Sequence, residues 1–292
     1  MSEEVFRQDL DESKAERAGG PFVIELLFRE PADMPSKERM SAAIEKHVGK
    51  TECFCHDGKT AGFAALDYRA EFQDQSVPVQ LMVTACTVFD GEEIDDFLRS
   101  QMWDCLEERD NILDNCRYRV FATDMLARAL PAVQRATLDM DFLEALSELY
   151  PDCEAFYFPS SGKLFPAESV RQHETEGTNR FIYFGVNVRF FNVQDSEDMV
   201  VDTLGMSTLF LPDLQYHFHG MNPNWVVNHA YNVAAYLLGS GNVIADGETV
   251  DGVVDGEMSS ELHWSCRYED ALIQPPREVL DINMGEYASG TR

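Results

Sequence analysis

AGFAALDYRAEF (61–72) and VPVQLMVTACTVF (77–89) are two runs rich in alanine, valine and aromatic residues, joined by the polar QDQS (73–76). Such a pattern predicts two strands and a tight turn. Residues 79–89 are nearly all apolar, which suits a central strand covered on both faces. Upstream, PFVIELLF (21–28) reads as a strand. Ser36 is a good N-cap, and Met40, Ala43, Ile44 and Val48 give the three-four spacing of a helix that ends at Gly49. Downstream, GEEIDDFLRSQMWDCLEE (91–108) reads as one helix with acids in its first turn, where the helix dipole favours them. CRYRVFATDML (116–126) reads as a further strand. The order is β-α-β-β-α-β, that of a ferredoxin-like sandwich.

The second half repeats the theme. A helix is predicted over 131–149, then a strand, turn and short strand in CEAFYFPSSGKLF (153–165). FIYFGVNVRFF (181–191) reads as a strand with Ile182, Phe184, Val186, Val188 and Phe190 on one face. MVVDTLGMSTLFL (199–211) reads as its partner, broken at Gly205. Asn222 and Pro223 open a helix whose stripe is Val226, Ala230, Val233 and Leu237, ending at Gly239. NVIADGETVDG, ELHWSCRYEDAL and PREVLDI supply the last strands. Both halves show strand, turn, strand and helix, over 63–106 and 181–238. The expectation is an α+β protein of two similar ferredoxin-like sandwich sub-units, with mixed or antiparallel sheets, packed into one body. An acidic leader (1–20) would precede an N-terminal sub-unit (21–127) and a C-terminal one (128–292).

Charge sets the class of partner. Fifty-two acids face 23 bases among 292 residues, a formal net charge of -29. Bare nucleic acid and anionic membrane would be repelled, and a basic protein attracted. Residues 1–20 lack the basic and then apolar pattern of a secretory signal. NPNWVVNHAYNVAAYLLGSGNVIA lacks charge but carries Asn222, Asn224, Asn228, His229 and Asn232, which makes a poor membrane span. A cytoplasmic location is expected. The seven scattered cysteines suit free thiols in a reducing compartment. Cys53-Phe54-Cys55-His56 has no second pair to complete a zinc site, and no cofactor is expected.

Chemistry, if present, would centre on DTLGMSTLFLPDLQYHFHGMNPNW (202–225). On a helical turn after Pro212, Asp213 and His217 would share a face as a carboxylate–histidine dyad, with Asp202 approaching from the preceding strand. In an extended chain His217 and His219 would share a face and, with Asp213, suit a metal. The competing reading is structural: Asp213 follows a proline as an ordinary N-cap, and Gln215 bonds backbone in a tight turn. No HExxH, Walker or G-x-S-x-G signature is present. Ser160, Ser161 and Lys163 read as a hairpin turn, Arg277 and Asp281 as an ion pair, and Trp103, Trp225 and Trp264 as core or interface anchors. Acids concentrate over 90–114 (ten acids, two arginines) and 246–261 (six acids, no base). Asp95, Asp96, Glu107, Glu108, Asp246, Glu248 and Asp251 are the candidate binding residues for a basic partner.

VNVRFF, DTLGMSTLFLPDLQYHF, YLLGSGNVIADGETVDG and PPREVLDI resemble, in that order, a bacterial domain family of unknown function. The residues that carry the resemblance, over about 180–283, are Asp202, Thr203, Gly205, Pro212, Asp213, Gln215, Asp246, Gly247, Thr249, Pro276, Arg277 and Asp281. It implies a cytosolic α+β protein with no accepted activity, some of whose relatives sit among toxin and immunity genes. Two further readings stand beside an acidic binding protein: a metal-dependent or His/Asp hydrolase at 202–219, and a scaffold without small-molecule chemistry.

Overall fold

A computed structural model describes residues 20–290. They form two compact units, residues 20–185 and 186–290. Each holds one sheet, so the α+β class holds.

The first unit runs β1 (Val23–Phe28), α1 (Lys37–Val48), β2 (Thr51–His56), β3 (Thr60–Glu71), β4 (Ser76–Thr84), β5 (Thr87–Val88), α2 (Asp96–Ser100), α3 (Arg109–Asn115), β6 (Tyr118–Met125), α4 (Ala132–Leu149), β7 (Ala155–Phe158), β8 (Lys163–Pro166), α5 (Ala167–Arg171) and α6 (Asn179–Gly185). The β3–β4 hairpin forms, but its second strand ends at Thr84 and is fully buried on one face only, while Thr87–Val88 is a separate, exposed strand, so 79–89 is not one strand covered on both faces. Val79, Leu81 and Val83 alternate into the core. Ser36 caps α1, its hydroxyl accepting from the Arg39 amide at 3.3 Å, and Met40, Ala43, Ile44 and Val48 are its buried face. α1 packs on α4.

Three further expectations change here. The strand order is β2-β3-β4-β6-β1-β7-β8, with β5 also on β6, and every pairing is antiparallel. In a ferredoxin-like sheet β1 would lie beside the strand that β4 represents. Here β6 stands between them, so the element order does not give the ferredoxin arrangement. The boundary also moves from 127–128 to 185–186, because β7 pairs with β1 and carries the chain on within the first sheet. Finally, 91–108 is not one helix. Asp90 accepts from the Glu92 amide and Asp95 from the Leu98 amide, at 3.0 and 2.8 Å. These aspartates restart the chain as short turns instead of sustaining a helix.

The second unit runs β9 (Asn187–Asn192), β10 (Met199–Leu204), β11 (Asp213–Phe218), α7 (Pro223–Ser240), β12 (Thr249–Val254), β13 (Glu257–Asp270) and β14 (Glu278–Asn283). Its order is β12-β13-β14-β11-β10-β9. Among the described residues of this unit, only β11 and β14 pair in parallel. Asn222 caps α7 by accepting from the Asn224 amide at 3.0 Å, Pro223 takes the first turn, and Val226, Ala230, Val233 and Leu237 face inward. The helix ends at Gly241 (φ +76°), two residues beyond Gly239.

FIYFGVNVRFF is therefore not one strand. Its first part is α6, with Phe181, Ile182, Phe184 and Gly185 buried, and its second is β9. Gly185 leaves room for the Phe181 ring, which a Cβ there would meet at 3.1 Å. Residues after Pro212 form neither a helical turn nor a cap but β11, buried except at His217. The leader expected over 1–20 lies, apart from Gly20, outside the described residues. Among the described residues, no helix is long and apolar enough to cross a membrane. The seven cysteines are free thiols. Burial pushes Cys116 and Cys266 up to about 11 and Cys105 up to about 12, which leaves these three unreactive.

Candidate functional site

The second sheet carries a row of polar side chains across five strands. Arg189 on β9 faces Asp202 on β10; Asp202 faces Gln215 on β11; Gln215 faces Asp281 on β14; Asp281 faces Arg267 on β13. Cross-strand neighbours on one face interact directly. Arg189 grips Asp202 bidentately, with Nε to Oδ1 at 2.8 Å and Nη2 to Oδ2 at 2.5 Å. The Gln215 amide donates to Asp281 at 3.1 Å and its carbonyl accepts from the Leu272 amide at 2.7 Å.

Arg277 enters from the segment before β14 and uses all five N–H groups. Nη2 donates to Asp202 Oδ2 and the Thr203 carbonyl, both at 2.8 Å. Nε donates to Asp213 Oδ2 at 3.3 Å, and Nη1 to the Ile273 and Pro275 carbonyls, both at 2.9 Å. Thr203 donates to Asp213 Oδ1 at 3.1 Å and accepts from the Leu214 amide at 2.8 Å. Asp202 and Asp213 are fully buried, and Arg189 and Arg277 nearly so. Burial pushes the Asp213 carboxyl above the usual range, against the opposing pull of Arg277. Every guanidinium N–H of Arg277 is satisfied and both carboxylates are paired, as a buried ionic network requires.

This geometry places each sequence-predicted residue. Asp202 and Asp213 share Arg277. His217 lies on the same face of β11 as Asp213 but four residues along, about 13 Å away. It approaches Asp198 instead, Nε2 to Oδ2 at 3.7 Å. His219 contacts Ser289, Nδ1 to Oγ at 3.1 Å, and Ser289 donates to Asp198 at 2.8 Å. The carboxylates proposed for acid–base or metal work are thus enclosed by arginines, apart from both histidines. Arg277 pairs with Asp202 and Asp213, with no Arg277–Asp281 ion pair. Among the described residues, no three His, Cys, Asp or Glu side chains gather as metal ligands do.

The candidate binding acids divide between the units. Asp95, Asp96, Glu107 and Glu108 are exposed in the first, and Asp95 is engaged as a helix cap. In the second, Asp246 accepts from the Tyr268 amide at 3.0 Å and Glu248 from the Ala245 amide at 2.8 Å, both shaping the approach to β12. Asp251 is half-buried, with a carboxylate oxygen 3.6 Å from His263 Nδ1.

On the other face of the sheet α7 supplies a residue given no role by the sequence reading. His229 is buried, its Nδ1 2.8 Å from the Tyr216 hydroxyl and its Nε2 2.7 Å from the Asp251 carbonyl. Its ring meets Trp264 edge-on at 4.8 Å. A carbonyl only accepts, so Nε2 carries the proton and Nδ1 accepts from Tyr216, whose phenol burial keeps protonated. Burial lowers the His229 pKa from its ordinary 6.5. The unfolded chain then binds a proton before the folded one does. Stability is full above about pH 6.5 and is lost as pH falls from there toward the folded pKa. Urea midpoints between pH 7.5 and pH 5.5 should fall more steeply for the native chain than for His229→Gln, by up to about 1.4 kcal/mol per pH unit. Equal slopes would refute this assignment.

Residues 202–283 match a family model described as a domain of unknown function (DUF4261). The matched segment opens at Asp202 and closes at the end of β14, and holds Asp202, Asp213, Gln215, Arg277 and Asp281 of the network. No curated protein and no solved structure matches the chain.

Proposed function

We propose that residues 186–290 form an acidic binding module for a basic protein partner, with immunity-type neutralisation of a basic toxin as its most concrete form. One observation carries this reading: the module turns its positive charge inward. Residues 186–290 contain sixteen acids and three bases, Arg189, Arg267 and Arg277. Arg189 and Arg277 are buried against Asp202 and Asp213. With Asp281 also buried, thirteen acids lie outside the network against Arg267 alone. Such a surface raises the encounter rate with a basic protein and repels acidic ones.

The test is a pull-down from the native host with the whole chain, followed by kinetics with the captured partner. Association should slow about tenfold or more when ionic strength rises from about 0.05 M to about 0.5 M, because exposed charges are then screened within a few ångströms. A partner without a basic face, or an association rate indifferent to salt, would overturn the proposal.

A further inference from the structure

The β12–β13 hairpin stands away from α7 over a cleft of about 520 Å3. Trp225, Asn228, His229 and Asn232 recur at helical spacing along the cleft wall, and Gly256, Glu257 and Met258 line the opposite side. The hairpin turns at Asp255 and Gly256, both with positive φ (52° and 89°). Gly256 lies directly against the indole of Trp225: a Cβ on it would be 2.9 Å from Nε1. Backbone thus fixes the ring at the cleft. His229 has both ring nitrogens committed to Tyr216 and Asp251, so it offers a wall and no free polar atom.

Besides Tyr231 and Val253, the lining presents an indole, two side-chain amides, a thioether and the carboxylate of Glu257. Among the described residues, Glu257 is the one charged residue lining the cleft, and no lysine or arginine lines it. The adjoining hairpin adds Asp251, Asp255 and Glu261. An anion would meet no positive side chain in this lining and would be repelled by Glu257 and the adjoining acids. A flat, delocalised cation has an aromatic surface to stack on, a carboxylate to pair with and amide oxygens to accept its remaining N–H groups. The volume also lies within the range of small-ligand sites.

From this we infer that the cleft is a receptor for a guanidinium group. On the reading proposed above, that group is an arginine side chain of the basic partner, which the surrounding acids steer toward Trp225.

Arginine amide and an arginine-containing peptide serve as probes, with acetate as the anionic control. The whole chain, labelled with 15N at its indoles, is titrated with each, and Trp225→Phe identifies the Trp225 resonance. Both probes should shift that resonance saturably. Glu257→Gln, a change at an exposed site, should weaken both about fivefold, as loss of one solvent-exposed ion pair does. An unmoved resonance, a shift matched by acetate, or indifference to Glu257→Gln overturns the inference. Binding of arginine amide without the peptide overturns its partner form and identifies a free guanidinium compound as ligand. If the captured partner binds Glu257→Gln and Trp225→Phe with unchanged affinity and no probe binds, the cleft fails while the acidic-module reading stands. If the probes bind but no salt-sensitive partner exists, the module reading fails and the cleft remains.

Discussion

Arg277→Met should destabilise the second unit by about 3–5 kcal/mol, the cost of removing one partner from a buried ionic cluster. The substitution keeps much of the aliphatic stem and removes five donors. Asp213 would retain only the Thr203 hydroxyl and the Met206 amide. Asp202 would keep Arg189. The Ile273, Pro275 and Thr203 carbonyls would each lose a partner. The readout is urea unfolding followed by tryptophan fluorescence, since Trp225 and Trp264 both lie in this unit. Adding Asp213→Asn to Arg277→Met should recover part of the loss, because it removes the charge left unpaired. A loss below about 1 kcal/mol would show that water or side-chain movement compensates, and that Arg277 is not needed to hold the buried carboxylates.

Asp139→Asn should act in the opposite direction. Asp139 on α4 is buried, and among the described residues neither of its carboxylate oxygens accepts a hydrogen bond. Arg135 lies 3.8 Å away but is taken by Asp124, which it reaches from Nε at 2.6 Å and Nη2 at 3.0 Å. Burial, and then the Asp124 charge, push the Asp139 carboxyl well above its usual range. The folded chain therefore holds a proton that the unfolded chain has released. Stability is highest below the unfolded pKa of about 3.9 and declines as pH rises from there to the folded pKa. A neutral amide of the same size escapes this penalty. At pH 8 the variant should be more stable than the native chain, by about 1.4 kcal/mol for each pH unit that separates the folded from the unfolded carboxyl pKa. The difference should shrink on acidification. An Asp139→Asn chain that is less stable at pH 8 would overturn the assignment.

Local signals in the sequence were legible where one physical rule acted alone. The β3–β4 hairpin shows alternation around a polar turn. Ser36, Asn222 and Pro223 mark helix starts by hydrogen bonding that depends on near neighbours. The failures have distinct causes. FIYFGVNVRFF is apolar at almost every position, so its periodicity fits a helix as well as a strand. The acids over 90–108 favour the first turn of a helix, yet Asp90 and Asp95 can equally cap a new one. The place of β6 between β4 and β1 depends on pairing between residues about a hundred positions apart. No local pattern reports that. Asp202, Thr203, Asp213, Gln215, Arg277 and Asp281 were visible as a string, but their meaning was not. The expected partner of Asp213 was His217, and the actual one is Arg277, 64 residues away. Arg189 stands alone between Val188 and Phe190, and a lone arginine in an apolar strand is itself a sign of a buried counter-charge. On α7, His229 is buried beside the apolar stripe of Val226, Ala230, Val233 and Leu237, and the stripe's spacing alone does not report that His229 and Trp225 line a cleft.

The bond between Arg189 and Asp202 also sets where the chain can be cut. The family match opens at Asp202, but β9 and Arg189 lie upstream of it. A fragment begun at the match would lose the edge strand and one of the two arginines that neutralise Asp202. A piece that keeps this ion pair must therefore reach back to at least Asn187, so the stretch recognised by likeness and the stretch needed to complete its charge balance begin on different strands.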